Sequence, residues 1–281
     1  MNDGDGHDHD RGLAFDLTTL LERRRALQLI AGAGLATLIG CGSSSPKANS
    51  ASSSSSTSGS GATTTSSSSG ATSANCSTIP DETGGPYPGD GSNGPNVLTQ
   101  SGIVRQDIRS SFGSSSTTAP GVPLTINLNL QDAKACTALA GGAVYLWHCN
   151  RDGQYSLYSQ GVTNENYLRG VQAAGADGKL RFTSIFPGAY SGRWPHIHFE
   201  VYSSLNDATS AGRNVKTSQL ALPKDTCDQA YTADGYGQSV KNLAQTSLAT
   251  DMVFSDGYSL QLPTVTGDVA SGFTIELNVA V

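Results

Sequence analysis

The chain has 281 residues, a formal net charge of -6 and only 14% charged residues. Phosphate binding needs clustered Lys and Arg, so nucleic acid is excluded as a partner. The 33 glycines, with abundant Ser, Thr and Asn, suit a turn-rich β protein and suit a disordered segment equally well.

Residues 1–41 read as a leader and export signal. A polar start leads to Arg23-Arg24-Arg25 and then to an uncharged run from Ala26 to Gly40. That run is too short and too rich in Gly and Ala to span a bilayer as a permanent helix. It ends in Leu38-Ile39-Gly40-Cys41, which resembles a bacterial lipoprotein box with Cys41 as the lipidated residue. The paired arginines with Leu27 close behind resemble a twin-arginine signal, which exports proteins already folded. An ordinary secretory signal with a chance cysteine is the other reading. His7 and His9 would leave with the signal and read as solvated rather than as a metal site. The expected location is the cell envelope, with membrane contact only through a lipid on Cys41.

Residues 42–75 form the next segment. From Ser43 to Ser73 it is almost entirely Ser, Thr, Gly and Ala, with Lys47 its only charge. Such a segment has no apolar surface to offset its ordering entropy. As a flexible coil of about thirty residues it would reach roughly 30 Å, a tether between anchor and domain.

Residues 76–281 carry the folded domain. Its cysteines are Cys76, Cys136, Cys149 and Cys227. An even number in an exported domain predicts two disulfides, in one of three pairings that sequence does not separate. A thiolate metal site lacks the Cys-x-x-Cys spacing.

Apolar residues alternate with polar ones through Leu124, Ile126, Leu128 and Leu130, and again through Phe273, Ile275, Leu277, Val279 and Val281. Between them, strands are predicted over Ala143 to His148, Leu180 to Ser184 and His196 to Tyr202. Helical periodicity is scarce, with one short helix predicted from Gln238 to Leu248. Many short strands at this spacing predict an all-β fold, an antiparallel β-sandwich with long active-site loops.

The strand at His196 carries the chemistry. Ile197, Phe199 and Val201 would face a core, while His196, His198 and Glu200 point the other way. Two imidazoles on one strand face can share a metal or can simply face solvent. Glu200 could support them or be exposed. With the leader removed, His148 is the remaining histidine, and a three-histidine copper or zinc site on His148, His196 and His198 is one alternative. Following Trp147, itself read as core, His148 otherwise reads as structural. A phenolate is a hard anionic donor suited to a trivalent cation, and a bound metal can strip a tyrosine proton at neutral pH.

The surrounding text is specific. Trp147-His148-Cys149-Asn150-Arg151-Asp152-Gly153-Gln154-Tyr155 is followed by Tyr167-Leu168-Arg169-Gly170, by Phe186-Pro187-Gly188-Ala189-Tyr190, and by Gly192-Arg193-Trp194-Pro195-His196-Ile197-His198. This order resembles the intradiol ring-cleavage dioxygenases, the family of catechol 1,2-dioxygenase and protocatechuate 3,4-dioxygenase. The resemblance covers at least Trp147 to Gln219. It extends to Glu82-Thr83-Gly84-Gly85-Pro86-Tyr87, similar to the loop at the family's pocket mouth.

The resemblance implies that Tyr155, Tyr190, His196 and His198 hold a non-haem Fe(III). Tyr190 matches the tyrosine released when substrate binds, and His196 the axial histidine. Arg193 matches an arginine that stabilises negative charge on the substrate, and Gln219 an active-site glutamine. Gly85, Pro86 and Tyr87 match a substrate-contacting loop. The implied reaction opens a catechol-type diol with O2 between its hydroxyl-bearing carbons, giving a muconate-type diacid. Five residues separate Tyr190 from His196, fewer than in the cytoplasmic enzymes, which predicts a more open pocket. A surface β-sandwich that keeps the scaffold but only binds aromatics is the reading from another class. Arg169 and Asp177 are expected to form an ion pair near the site.

Overall fold

The computed structural model of the chain describes residues 76–210 and 212–281. The export signal, Arg23 to Arg25, Cys41 and the Ser/Thr-rich tether lie outside the described residues.

Nine strands and three short helices follow in order: β1 (Pro123–Asp132), β2 (Thr137–Ala138), β3 (Ala143–Trp147), β4 (Arg169–Ala173), β5 (Lys179–Ile185), β6 (His196–Tyr202), α1 (Leu205–Thr209), β7 (Lys216–Ala221), α2 (Lys224–Ala230), α3 (Gly237–Leu243), β8 (Thr264–Asp268) and β9 (Gly272–Ala280). One sheet runs β2-β1-β9-β8, with β5 also paired to β1, and the other runs β4-β3-β6-β7. The fold is an all-β sandwich. One pair departs from the antiparallel expectation: β1 and β9 run parallel, from Leu124 opposite Phe273 to Gln131 opposite Ala280. Alternation assigns a strand's faces and says nothing about its direction, so sequence could not show this.

Between the sheets, Leu124, Ile126, Leu128 and Leu130 of β1 join Ile275 and Leu277 of β9, packing with Leu146, Ile197, Phe199 and Val201. Each such side chain contributes roughly 1.5–3 kcal/mol by leaving water. The far side of the second sheet is covered as well. Ala143, Tyr145 and Trp147 of β3 gather there with Val97, Leu98, Ile103, Cys149 and Tyr155 in a second apolar cluster. Every residue of β6 is therefore buried. His196, His198 and Glu200 do point away from the sandwich core, but the loops before β1 and after β3 close over them.

Three expectations are corrected. Cys76 and Cys136 form a disulfide, whereas Cys149 and Cys227 are free, buried thiols, so one of the two expected bridges is absent among the described residues. Cys149 packs in the second cluster and Cys227 in the sandwich core, each behaving as a small apolar residue. Burial pushes the Cys149 thiol up to about 12.

Arg169 does not pair with Asp177. It is buried, and its N–H groups reach the Ser156 hydroxyl, the Tyr145 hydroxyl and the carbonyls of Tyr87, Pro88 and Ser156. Asp177 instead accepts the Lys179 backbone N–H in an exposed turn. The helix expected from Gln238 to Leu248 stops at Leu243, because Ser247 and Thr250 bond each other and their own backbone.

Candidate metal centre

His196 and His198 lie one pleat apart on β6, and their rings converge. The Trp194 carbonyl accepts the His196 Nδ1–H at 2.5 Å, which fixes the tautomer and leaves the Nε2 lone pair free to coordinate. Trp147, directly opposite His198 on β3, stacks on its ring at 4.9 Å and 3°. The His198 Nδ1 faces the Thr83 carbonyl without closing a hydrogen bond of ordinary geometry.

Two loops bring the tyrosines. The turn before Tyr155 is closed by Asn150, whose side-chain oxygen accepts the N–H groups of Asp152 and Gln154. Gly153 in that turn has φ +80°, and a Cβ there would lie 3.1 Å from the Tyr190 Cβ, so the two loops touch at a position that favours glycine. Helix α3 ties them a second time. The Ser239 hydroxyl accepts the Ala189 N–H at 3.0 Å and donates to the Arg151 carbonyl at 3.3 Å, while the Asn242 amide donates to the Ala189 carbonyl at 2.8 Å.

The result is a cluster of four donor atoms. The His196 Nε2 lies 3.0 Å from the His198 Nε2, 3.4 Å from the Tyr155 oxygen and 3.3 Å from the Tyr190 oxygen. Donors bonded about 2.1 Å from one metal at angles near 90–110° are about 3.0–3.4 Å apart, so the four fit the edges of a single coordination shell. Burial pushes both imidazoles well below their ordinary pKa, His196 further by Arg193 and His198 further by His196. Both are neutral donors at pH 7. Burial, then Tyr190, pushes the Tyr155 phenol well above its ordinary range. It would yield its proton only to a bound cation. The His198 Nε2–H can donate to the His196 Nε2 at 3.0 Å, and a bound cation would take the place of that proton.

Arg193 and Gln219 lie beside this cluster, and both are buried. Gln219 sits on β7 opposite His198, takes the Arg193 Nη2–H on its side-chain oxygen at 2.7 Å and donates to the Thr83 carbonyl at 2.8 Å. Of the pocket-mouth loop, Tyr87 reaches the cluster, its ring 4.9 Å from that of Tyr155. Gly85 and Pro86 are buried along the loop, where the Thr83 hydroxyl accepts the Gly85 N–H and the Pro86 carbonyl accepts from Asn93.

His148 does not join. Its ring nitrogens contact the Ser184 hydroxyl and the Cys149 carbonyl, both at 2.7 Å. No group of three His, Cys, Asp or Glu side chains able to share a metal occurs among the described residues, so the three-histidine copper or zinc alternative is not assembled. Glu200 is buried on the histidine face and accepts the Tyr202 hydroxyl at 2.7 Å, with burial raising its carboxyl to about 7.

Two acidic residues were not singled out from sequence. Asp251 pairs with Arg193 in the interior. Glu82 accepts from Gln261, whose amide also donates to the Gln219 carbonyl. Nothing local in Ala249-Thr250-Asp251-Met252 marks the first, and the second lay unassigned inside the pocket-mouth loop.

Residues 93–209 match the model of a family described as Dioxygenase. A 71-residue stretch is 31% identical to the chlorocatechol 1,2-dioxygenase of Rhodococcus opacus, covering 25% of this chain and 27% of that protein. A 101-residue stretch is 29% identical to catechol 1,2-dioxygenase 1 of Acinetobacter lwoffii, covering 29% and 32%. Over these residues the chain is similar to the intradiol ring-cleavage dioxygenases. Its match spans about a third or less of the length of those curated relatives. The fold of an intradiol ring-cleavage dioxygenase from Tetranychus urticae superposes with a TM-score of 0.59 at 22% identity, over 73% of this chain and 94% of that one. The family match takes in Tyr155, Tyr190, Arg193, His196 and His198 and ends before Gln219 and Asp251.

Proposed function

We propose that the domain is a non-haem Fe(III) dioxygenase that opens a catechol-type diol between its two hydroxyl-bearing carbons, using O2 and giving a muconate-type diacid. The observation that carries this reading is the convergence of two phenol oxygens and two imidazole nitrogens within 3.0–3.4 Å of one another's common partner, the His196 Nε2. Bound Fe(III) would supply a Lewis acid and an electron acceptor for the diol.

The chain's own residues divide the remaining work. Tyr155 and His198 are buried among Trp147, Tyr87 and Tyr190 and have little freedom to leave. Tyr190 is half-buried, on a loop held by Ser239 and Asn242. If the four side chains held Fe(III), Tyr190 would be the one placed to move outward and take a proton from the diol. Arg193 supplies N–H donors for negative charge that builds on the ring as O2 attacks. The buried, stacked rings of Tyr145 and Trp147 beside His198 help to exclude water and strengthen that interaction.

Purified protein should be red to purple from ferric tyrosinate charge transfer, with a colour shift on adding catechol. Tyr155→Phe and His198→Ala should each abolish ring cleavage. A colourless preparation with one zinc or copper per chain would sink the iron assignment, and full activity in either variant would refute the ligand set. Product analysis over a panel of catechols would assign the diol and separate intradiol from extradiol cleavage. Export completes the proposal: Arg23 to Arg25 direct the folded domain outward and a lipid on Cys41 holds it at the cell envelope. Cys41→Ser should move the protein from the membrane to the soluble fraction, and unchanged fractionation would count against the anchor.

A further inference from the structure

The Arg193 guanidinium is held on two edges. Its Nε–H donates to the Asp251 Oδ2 at 3.0 Å and its Nη2–H to the Gln219 Oε1 at 2.7 Å. Asp251 is 1% exposed and comes from a turn after α3, outside the family match. Its carboxylate receives only N–H groups. Oδ2 also accepts Trp194 N–H at 2.7 Å, and Oδ1 accepts Val253 N–H at 2.9 Å and Phe254 N–H at 3.2 Å. One buried side chain thus fixes the Arg193 guanidinium and the backbone of Trp194, whose carbonyl in turn holds His196.

Arg193 cannot lose its proton, so its charge is permanent, and a buried permanent charge without a partner is costly. Beside Asp251 the pair is close to neutral when seen from a distance. What the pair presents is direction, the fixed orientation of a rigid plane.

We propose that Asp251 is the positioning residue of Arg193, fixing the guanidinium plane beside the histidines and turning a diffuse cation into an oriented donor. This rests on the dioxygenase reading above. Asp251 reaches the site only through Arg193 and Trp194 and is not itself a catalytic residue.

The test compares Asp251→Asn, Arg193→Met and the double variant with wild type, in the full domain with iron and without it. Asp251→Asn keeps the size but leaves one acceptor oxygen for four N–H groups. It should bind one iron per chain with the wild-type visible band, and its KM for catechol should stay within about threefold. Its kcat per bound iron should fall about 10- to 100-fold, as expected for a displaced group. The double variant should be no slower than Arg193→Met alone. A merely structural carboxylate would instead lower the iron-loaded fraction with kcat per iron unchanged, and that result, or losses that multiply, overturns the proposal.

Thermal unfolding of the iron-free proteins is a separate arm. The losses of the two single variants should not add, and additive losses overturn the pairing even where ring cleavage is confirmed. Non-additive losses in a chain that takes no iron and cleaves no ring would remove the dioxygenase reading and the role of Arg193 with it, so the two failures are told apart. If Asp251→Asn does not accumulate, the double variant should, because no unpaired guanidinium is left buried. Its failure to do so overturns the pairing.

Discussion

Replacing Gly153 by alanine tests how the two tyrosine loops hold each other. Gly153 has φ +80°, and a Cβ on it falls 3.1 Å from the Tyr190 Cβ. The left-handed region costs an L-residue about 1–2 kcal/mol. The contact requires Tyr190 to give by a few tenths of an ångström, adding roughly 1 kcal/mol of overpacking. The sum, about 2–3 kcal/mol, corresponds to a fall of roughly 4–12 °C in thermal midpoint for a domain of this size. Gly153→Asn separates the terms. Asparagine tolerates positive φ, so its stability loss should be smaller, while its Cβ still displaces Tyr190. Calorimetry reads the stability, and the visible band of the iron-loaded protein reads the position of Tyr190. A midpoint for the alanine variant within about 2 °C of wild type would refute the strain argument. Full stability loss with an unchanged band would show that the turn does not position Tyr190.

Ser239→Ala removes the hydroxyl that bridges Ala189 and Arg151, leaving a buried N–H without its acceptor at a cost of about 1–3 kcal/mol. Chemical denaturation should show that loss and iron affinity should fall with it; no change in either would mean the clamp is idle. Burial, then Asp256, raises the Glu82 carboxyl from 4.5 to about 7. A raised carboxyl binds its proton more tightly in the fold than in the unfolded chain, so its stabilisation is present below pH 4.5 and lost as pH rises through 7. Glu82→Gln should therefore flatten the decline in midpoint over that window, and identical slopes would contradict the assignment. The Cys76–Cys136 disulfide closes a loop of sequence separation 60, and opening it by Cys136→Ser should cost about 4 kcal/mol. In the native state Cys149 and Cys227 should not react with a thiol reagent; rapid labelling of either would contradict their burial.

The strands whose alternation was clearest in the sequence have one face in the core and one toward water, while β3 and β6, read from sequence as well, are buried throughout. Leu124 to Leu130 and Phe273 to Val279 alternate because the first sheet's outer face is solvated, and β1 and β9 follow them closely. Strands β2, β4, β7 and β8 were missed, β4 and β8 for opposite reasons. Arg169-Gly170-Val171 looks like no strand by composition, since its arginine is buried against carbonyls and hydroxyls and its glycine leaves no room for a Cβ beside Ile108. Thr264 to Asp268 is an exposed edge with almost no apolar face. Propensity cannot report either case, because what holds the strand is its neighbour.

The same distinction separates the visible part of the site from the hidden part. Both tyrosines, both histidines and Arg193 stand in short motifs whose spacing follows from local geometry: a turn before Tyr155, a glycine loop before Tyr190, a strand through His196. Asp251 meets Arg193, and Glu82 reaches Gln219 through Gln261, only in the folded chain, from positions 58 residues after Arg193 and before the first strand. No local periodicity requires an acid at either place. What requires it is the burial of β6 on both faces. Once the loops cover His196 and His198, a guanidinium beside them has left water, and its charge must be met by dipoles, as carbonyls and hydroxyls meet Arg169, or by an anion, as Asp251 meets Arg193. The cover that buries the two histidines is thus also what gives Asp251 its place beside Arg193.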